Sequence, residues 1–268
     1  MDGLGGLRFE PFGNVPFTSR AAKVVSDLNG NDTEGSSSMN TRLRKLGLVL
    51  AAFGLVFVAA GGFAFYKAQE GYRSLQAFSA AQNVNLNYNE EGQLVDRGET
   101  EGAQAIMALL TNDWAYPVVQ SDLNPNDPLV NTPTEYMYQM ATISYHTLHG
   151  STTVVLPEDV TAADGTVYKA GEYEFETDGR YWTGFNRANP IEAAAREKVW
   201  TGTAHALIAN LGVGTVTGSA LFLGLGLAGL FAGVGFITLL SGLGLVWATR
   251  AQEERVPATI SRPAAIPA

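Results

Sequence analysis

The most constraining feature of this sequence is a run of 46 residues, Ala204 to Thr249, that contains no Asp, Glu, Lys or Arg. A second such run extends from Leu46 to Tyr66. A charged side chain at the centre of a bilayer costs about 2.5–3.5 kcal/mol on insertion scales, and about 20 apolar helical residues cross the hydrocarbon core. The two runs therefore predict an integral membrane protein with two transmembrane helices.

The second run is longer than one perpendicular crossing requires, because a helix of this length measures about 69 Å. We expect one helix over 204–249 that begins outside the membrane near Pro190 and crosses the membrane over roughly 217–248. A hairpin that turns in the glycine-rich stretch 224–229 is the alternative. For the first run, 46–66, we expect an uncleaved anchor, with a cleaved signal peptide as the alternative.

Basic residues flank both runs on one side. Arg42, Arg44 and Lys45 precede the first run, and Arg250 and Arg255 follow the second. The positive-inside rule then places both termini in the cytoplasm and residues 67–203 outside the plasma (inner) membrane. Because the stretch 26–38 is polar and lacks periodicity, we predict a disordered cytoplasmic tail over 1–45, with Met39 as an alternative start, and a cytoplasmic tail over 250–268.

Charge and cysteine content exclude several classes of function. Residues 46–249 contain 8 basic and 19 acidic residues, a net charge of −11. This acidity argues against nucleic acid as a partner and suits a solvated face outside the membrane. The chain has no cysteine, so it holds no disulfide, thiolate metal site or cysteine nucleophile.

Local signals in the region 67–203 predict a small, mostly helical α+β domain. Thr132-Pro133-Thr134-Glu135 has the pattern of a capping box, and Asn189-Pro190-Ile191-Glu192 repeats it. Between these helix starts the residues favour strands at 152–156 and 173–176, with a turn at Asp164-Gly165. We therefore expect a short antiparallel hairpin or meander packed on helices.

The sequence shows no recognisable catalytic pattern. Gly-x-Ser-x-Gly, a phosphate-binding glycine loop and His-Glu-x-x-His are all missing. We therefore predict that the protein is not an enzyme and has neither catalytic residues nor a cofactor. The three histidines are His146, His149 and His205. His146 and His149 share a helix face, so copper or zinc binding with His205 is an alternative to the favoured structural or surface role.

Small residues recur along the second predicted span. They are spaced by four positions, a pattern that lets another helix approach closely in lipid. The predicted helix-packing residues are Ala220, Gly224, Ala228, Gly229, Ala232 and Gly233. We favour packing of the two spans on each other within one chain, and another membrane protein or a second copy is the alternative partner.

Four stretches carry a resemblance to a group of proteins, namely 133–140, 155–160, 179–182 and 195–205. With them the chain resembles uncharacterised actinobacterial membrane proteins in which two spans bracket an extracytoplasmic domain. The resemblance covers most of 39–249 and implies the same topology. It implies no activity and no functional residues.

These observations lead to two expected functions. The first is a non-enzymatic accessory or structural subunit of a larger membrane assembly, for example a respiratory or transport complex, in contact with lipid and other membrane proteins. The alternative is an extracytoplasmic module that binds or senses a ligand or metal.

Overall fold

The computed structural model describes the backbone of Ser19–Glu253 and the side chains of residues 38–251. Within this range the chain is mostly helical. The helices are α1 (Ser19–Gln82), α2 (Thr100–Ala108), α3 (Pro133–Leu148), α4 (Pro190–Val199) and α5 (Gly202–Glu253). The strands are β1 (Ser151–Leu156), β2 (Val160–Thr161), β3 (Val167–Tyr168) and β4 (Gly171–Glu176). A π-helical turn over Leu109–Asp113 extends α2, and a 3₁₀ turn covers Gln120–Asp122.

Two helices are long and apolar enough to cross a membrane, which confirms the predicted pair of long apolar helices. They are Ser38–Gln82 in α1 and Gly202–Ala251 in α5, and only 11% of the apolar window of each is buried. Phe53, Val56 and Ile237 each expose more than half of their surface. Apolar side chains exposed in such numbers along a helix suit contact with lipid rather than water.

The helix α5 runs unbroken through the stretch 224–229, so the single helix is confirmed and the hairpin alternative is wrong. The helix that begins at Pro190 does not continue into the membrane as predicted, because α4 ends at Val199 and a separate helix begins at Gly202. Trp200 leaves the helical conformation with ψ 61°. The Thr201 hydroxyl then accepts a hydrogen bond from the Ala204 N–H at 3.1 Å and caps α5.

The N-terminal segment differs from its prediction. Residues 1–45 are expected to be disordered, but α1 begins at Ser19 and continues into the apolar segment. Residues 1–18 and 254–268 lie outside the described part of the chain.

By its internal contacts the chain separates into two compact units. The first comprises Met1–Ala60 and Leu230–Ala268, and its described side chains all belong to α1 and α5. The second is Gly61–Gly229, and it contains the remaining helices and the strands. The second unit therefore includes more of α1 and α5 than the predicted domain 67–203.

The second unit has two apolar clusters. One lies between α1, α2 and α3, and its buried members are Leu86, Ile106, Leu110, Val130, Tyr136, Tyr138 and Ala141. The other joins the strands to α3 and α4, and its buried members are Leu109, Leu148, Val154, Leu156, Phe185, Ala195 and Trp200. The π-helical turn links the clusters, because Leu110 belongs to the first and Leu109 to the second.

The predicted antiparallel hairpin is confirmed. The strand β1 pairs with β4 from Ser151 opposite Glu176 to Leu156 opposite Gly171. Between them, β2 and β3 form a second, two-residue ribbon. Its turn uses Gly165 at φ 84°, and the Asp164 carboxylate accepts a hydrogen bond from the Thr166 N–H at 2.9 Å. The left-handed backbone at this turn favours glycine.

Both predicted helix starts are also confirmed. The Thr132 hydroxyl accepts from the Glu135 N–H at 3.3 Å, and the Glu135 carboxylate accepts from the Thr132 N–H at 2.8 Å. Proline occupies the first turn of α3. At α4 the Asn189 side chain accepts from the N–H groups of Ile191 and Glu192.

Candidate functional site

Glycines in the first unit form the contact between α1 and α5. A Cβ placed on Gly235 would lie 2.6 Å from the Val58 nitrogen, and one on Gly54 would lie 2.7 Å from the Gly235 oxygen. A Cβ on Gly47 would likewise lie 2.7 Å from the Gly242 oxygen. Because the obstructing atoms are backbone, these positions leave no room for a side chain. Glycine thus lets the two helices touch at their backbones.

The predicted set of packing residues is only partly at a contact. Ala228 is buried, and a Cβ on Gly224 would lie 3.6 Å from the Ala68 Cβ, an ordinary contact. By contrast, Ala220 is exposed and Ala232 is half-buried. A Cβ on Gly229 or Gly233 would meet nothing within 4 Å. The predicted Gly-x-x-x-Gly pair therefore takes no part in the contacts of the described residues.

Within the first unit, the glycines that bring α1 and α5 together are spaced by seven residues on each helix. Gly47 and Gly54 are seven apart, and so are Gly235 and Gly242. A seven-residue repeat keeps one seam of a helix facing its partner along a left-handed crossing. Gly47, Gly235 and Gly242 are not among the packing residues that the sequence predicted, although their spacing is readable in the sequence.

In the second unit, two further glycines of α5 pack closely against the first turn of α3. A Cβ on Gly214 would lie 2.7 Å from the Tyr136 ring, and one on Gly218 would lie 2.9 Å from the Pro133 ring. Pro133, Thr134, Glu135 and Tyr136 are all buried. The first turn of α3 is thus packed closely against α5, and this contact positions the polar groups around it.

Glu135 is the most deeply buried carboxylate of this region, with 2% of its surface exposed. It accepts hydrogen bonds from the N–H groups of Asn131 at 2.9 Å and Thr132 at 2.8 Å. Burial raises the pKa of Glu135, and these hydrogen bonds oppose the rise only in part. The capping role came from the sequence pattern, whereas the burial depends on the packing of α3.

Two tyrosines near Glu135 have hydroxyl groups with no hydrogen-bond partner among the described residues. They are Tyr88 and Tyr138, and both oxygens are buried. Burial raises the pKa of Tyr88 to about 12 and also raises the pKa of Tyr138. Tyr136, two residues before Tyr138 in α3, differs because its hydroxyl lies 2.6 Å from the Ser79 hydroxyl.

This difference predicts opposite effects for one chemical change. Tyr138→Phe should raise the free energy of unfolding by about 1 kcal/mol, because it removes a buried hydroxyl without a partner. Tyr136→Phe should lower it by about 1 kcal/mol, because Ser79 loses its partner. Thermal unfolding of the purified protein, followed by near-ultraviolet circular dichroism, compares them. Equal losses in both variants would contradict the assignment.

The three histidines have separate partners. His146 Nε2 lies 3.0 Å from the Asp96 carboxylate, and His149 Nδ1 lies 3.0 Å from the Tyr145 carbonyl oxygen. The His205 ring stacks on Trp200 at a centroid distance of 5.5 Å. Within the described part of the chain, no three His, Cys, Asp or Glu side chains are grouped so that they could hold a metal ion. The structure thus does not assemble the alternative copper or zinc site at His146, His149 and His205.

A pocket of about 190 Å³ opens in the second unit beside Tyr136. Residues from α1, α3 and α5 line it, and its walls are mainly apolar. Its polar side chains are Ser79, Gln82, Tyr136, Gln139 and Asn210. The sequence reasoning did not identify this pocket, because its residues are far apart in the chain and none belongs to a known motif.

Comparison with family models, with curated proteins and with solved structures finds no match to this chain. The resemblance to actinobacterial two-span proteins therefore stays a prediction.

Proposed function

We propose that this chain is a non-enzymatic integral membrane protein that serves as an accessory subunit of a larger membrane assembly. Two apolar helices anchor it in the plasma membrane, and the basic residues that flank them place both termini in the cytoplasm. The acidic segment 67–203 then lies outside. An accessory role needs no catalytic group, and it requires a surface that another membrane protein can contact.

One observation carries the proposal. Gly229 and Gly233 have nothing within 4 Å of where a Cβ would stand, whereas Gly54 and Gly235 are obstructed by backbone atoms. The small-residue pair of α5 is therefore not used by the contact between the described parts of α1 and α5. In lipid, small residues that remain free offer close approach to a helix of another protein.

The test is an affinity pull-down from native membranes in mild detergent, with mass spectrometry of the proteins retained. We expect a stoichiometric partner with the wild type and loss of that partner with Gly229→Ile combined with Gly233→Ile, because the added side chains hold the helices apart. The matched control is Leu227→Ile with Val234→Ile, at two apolar positions that are 43% and 44% exposed.

Two outcomes would contradict the accessory role. One is a wild-type protein that is recovered alone, without any stoichiometric partner. The other is a partner that the double isoleucine variant of Gly229 and Gly233 retains as well as the control does.

A second candidate function is an extracytoplasmic binding module. The pocket beside Tyr136 favours it, because the cavity combines apolar walls with a few polar groups, as small-molecule sites do. The metal-binding form of this candidate has no support from the arrangement of the histidines.

A further inference from the structure

We infer that the pocket beside Tyr136 binds a small uncharged molecule that consists of one ring and an amide or hydroxyl group. The inference rests on the proposed binding module and adds the chemical class of its ligand.

The charge of the pocket decides between neutral and ionic ligands. None of the residues that line it is Asp, Glu, Lys, Arg or His. An ionic ligand would give up its hydration there without meeting an opposite charge, which is costly in a largely apolar cavity. A neutral ligand avoids this cost.

The hydrogen-bonding groups specify the polar part of the ligand. The Ser79 hydroxyl donates to the Leu75 carbonyl oxygen at 3.0 Å, so the Tyr136 hydroxyl donates across the 2.6 Å contact to Ser79. The Tyr136 oxygen then keeps a lone pair that accepts from a ligand N–H or O–H group. Ser79 and Tyr136 are 2% and 5% exposed, so this acceptor is held in place by packing.

Three carboxamides complete the polar lining, and they belong to Gln82, Gln139 and Asn210. No hydrogen bond joins any of these three side chains to another described residue. Each offers both a donor and an acceptor. An amide or hydroxyl on the ligand matches such groups, because it also donates and accepts.

The volume limits the size of the ligand. The pocket measures about 190 Å³, and an engineered cavity of about 150 Å³ in another protein holds benzene. One ring with a single polar substituent therefore fits this pocket.

The experiment uses benzamide, benzoate and benzylammonium, which share a ring and differ in charge. Each is titrated into the full chain in lipid nanodiscs at pH 7 and followed by saturation-transfer NMR, with empty nanodiscs as the blank. We expect benzamide to bind at least tenfold more tightly than either ion. Gln139→Leu should weaken the binding of benzamide at least threefold. Gln120→Leu, which replaces an exposed glutamine outside the pocket, should leave this binding unchanged.

Leu207→Trp provides a second variant that does not depend on the carboxamides. Leu207 lines the pocket and is 46% exposed, so a larger side chain fills the cavity without disturbing a buried core. It should abolish benzamide binding. If benzoate or benzylammonium binds as tightly as benzamide and Leu207→Trp blocks it, the neutral class is wrong and the binding module survives. If none of the three molecules binds, the neutral ligand class and the binding module are both wrong.

Discussion

Replacing Gly54 by alanine is expected to lower the free energy of unfolding by about 2–3 kcal/mol, at the upper end for overpacked sites. The added methyl group would overlap the backbone of Leu239 and lie 2.7 Å from the Gly235 oxygen. Backbone atoms of a packed helix do not move aside as a flexible side chain does, so α1 and α5 must separate locally. Thermal unfolding in a mild detergent measures the loss.

The matched control is Gly62→Ala on the same helix. A Cβ on Gly62 would meet nothing within 4 Å, and alanine favours a helix over glycine by up to about 1 kcal/mol in water. This variant should be as stable as the wild type or more so. On α5, Gly235→Ala and Gly233→Ala form the equivalent pair. If Gly54→Ala and Gly62→Ala unfold alike, the backbone contact does not exist.

Replacing Glu135 by alanine is expected to lower the free energy of unfolding by about 2–4 kcal/mol, because two buried N–H groups lose their acceptor. Those groups belong to Asn131 and Thr132 and lie 2.9 and 2.8 Å from the carboxylate. Glu135→Gln should lower the free energy of unfolding by less, since the amide oxygen of glutamine still accepts these hydrogen bonds. Chemical or thermal unfolding at pH 7 compares the two variants.

The control for Glu135 is Glu172→Ala, which removes an exposed carboxylate from β4. It should change the free energy of unfolding by less than about 0.5 kcal/mol, as surface substitutions do. A loss at Glu172 equal to that at Glu135 would show that overall charge, rather than the cap of α3, is responsible.

The loss at Glu135 should also depend on pH. Burial raises its pKa in the folded protein, so the folded state binds this proton more tightly than the unfolded state. Its stabilising contribution is complete below the ordinary glutamate value of about 4.3 and falls as the pH rises through the raised pKa. Glu135→Ala should therefore cost more at pH 4 than at pH 8, and the reverse order would contradict the raised pKa.

The packing of the small residues shows where sequence patterns stop being sufficient. A spacing of four along α5 predicts close packing at Gly229 and Gly233, yet a Cβ on either would meet nothing within 4 Å, whereas a Cβ on Gly235 or Gly242 would meet backbone atoms of α1. Both spacings are present in the same glycine-rich stretch. Which one is used depends on the rotation of each helix about its axis and on the crossing angle, and neither is encoded in the stretch itself.

The candidate site divides in a similar way. The sequence placed His146 and His149 on one helix and suggested His205 as a third ligand, but each ring has its own partner elsewhere. The pocket beside Tyr136 had no sequence signal. Its lining comes from α1, α3 and α5, so only the folded chain brings these residues together.

Local physical chemistry let the sequence by itself determine the two apolar helices, the capping box at Thr132, the N-cap at Asn189, and the antiparallel pairing of β1 with β4. These features follow from hydrogen bonds and hydropathy within short stretches of chain. The tertiary structure alone decided the glycine contacts, the burial of Glu135, the separation of the histidines and the pocket. Those features depend on side chains and backbones that meet across long sequence distances, where the final packing sets every distance.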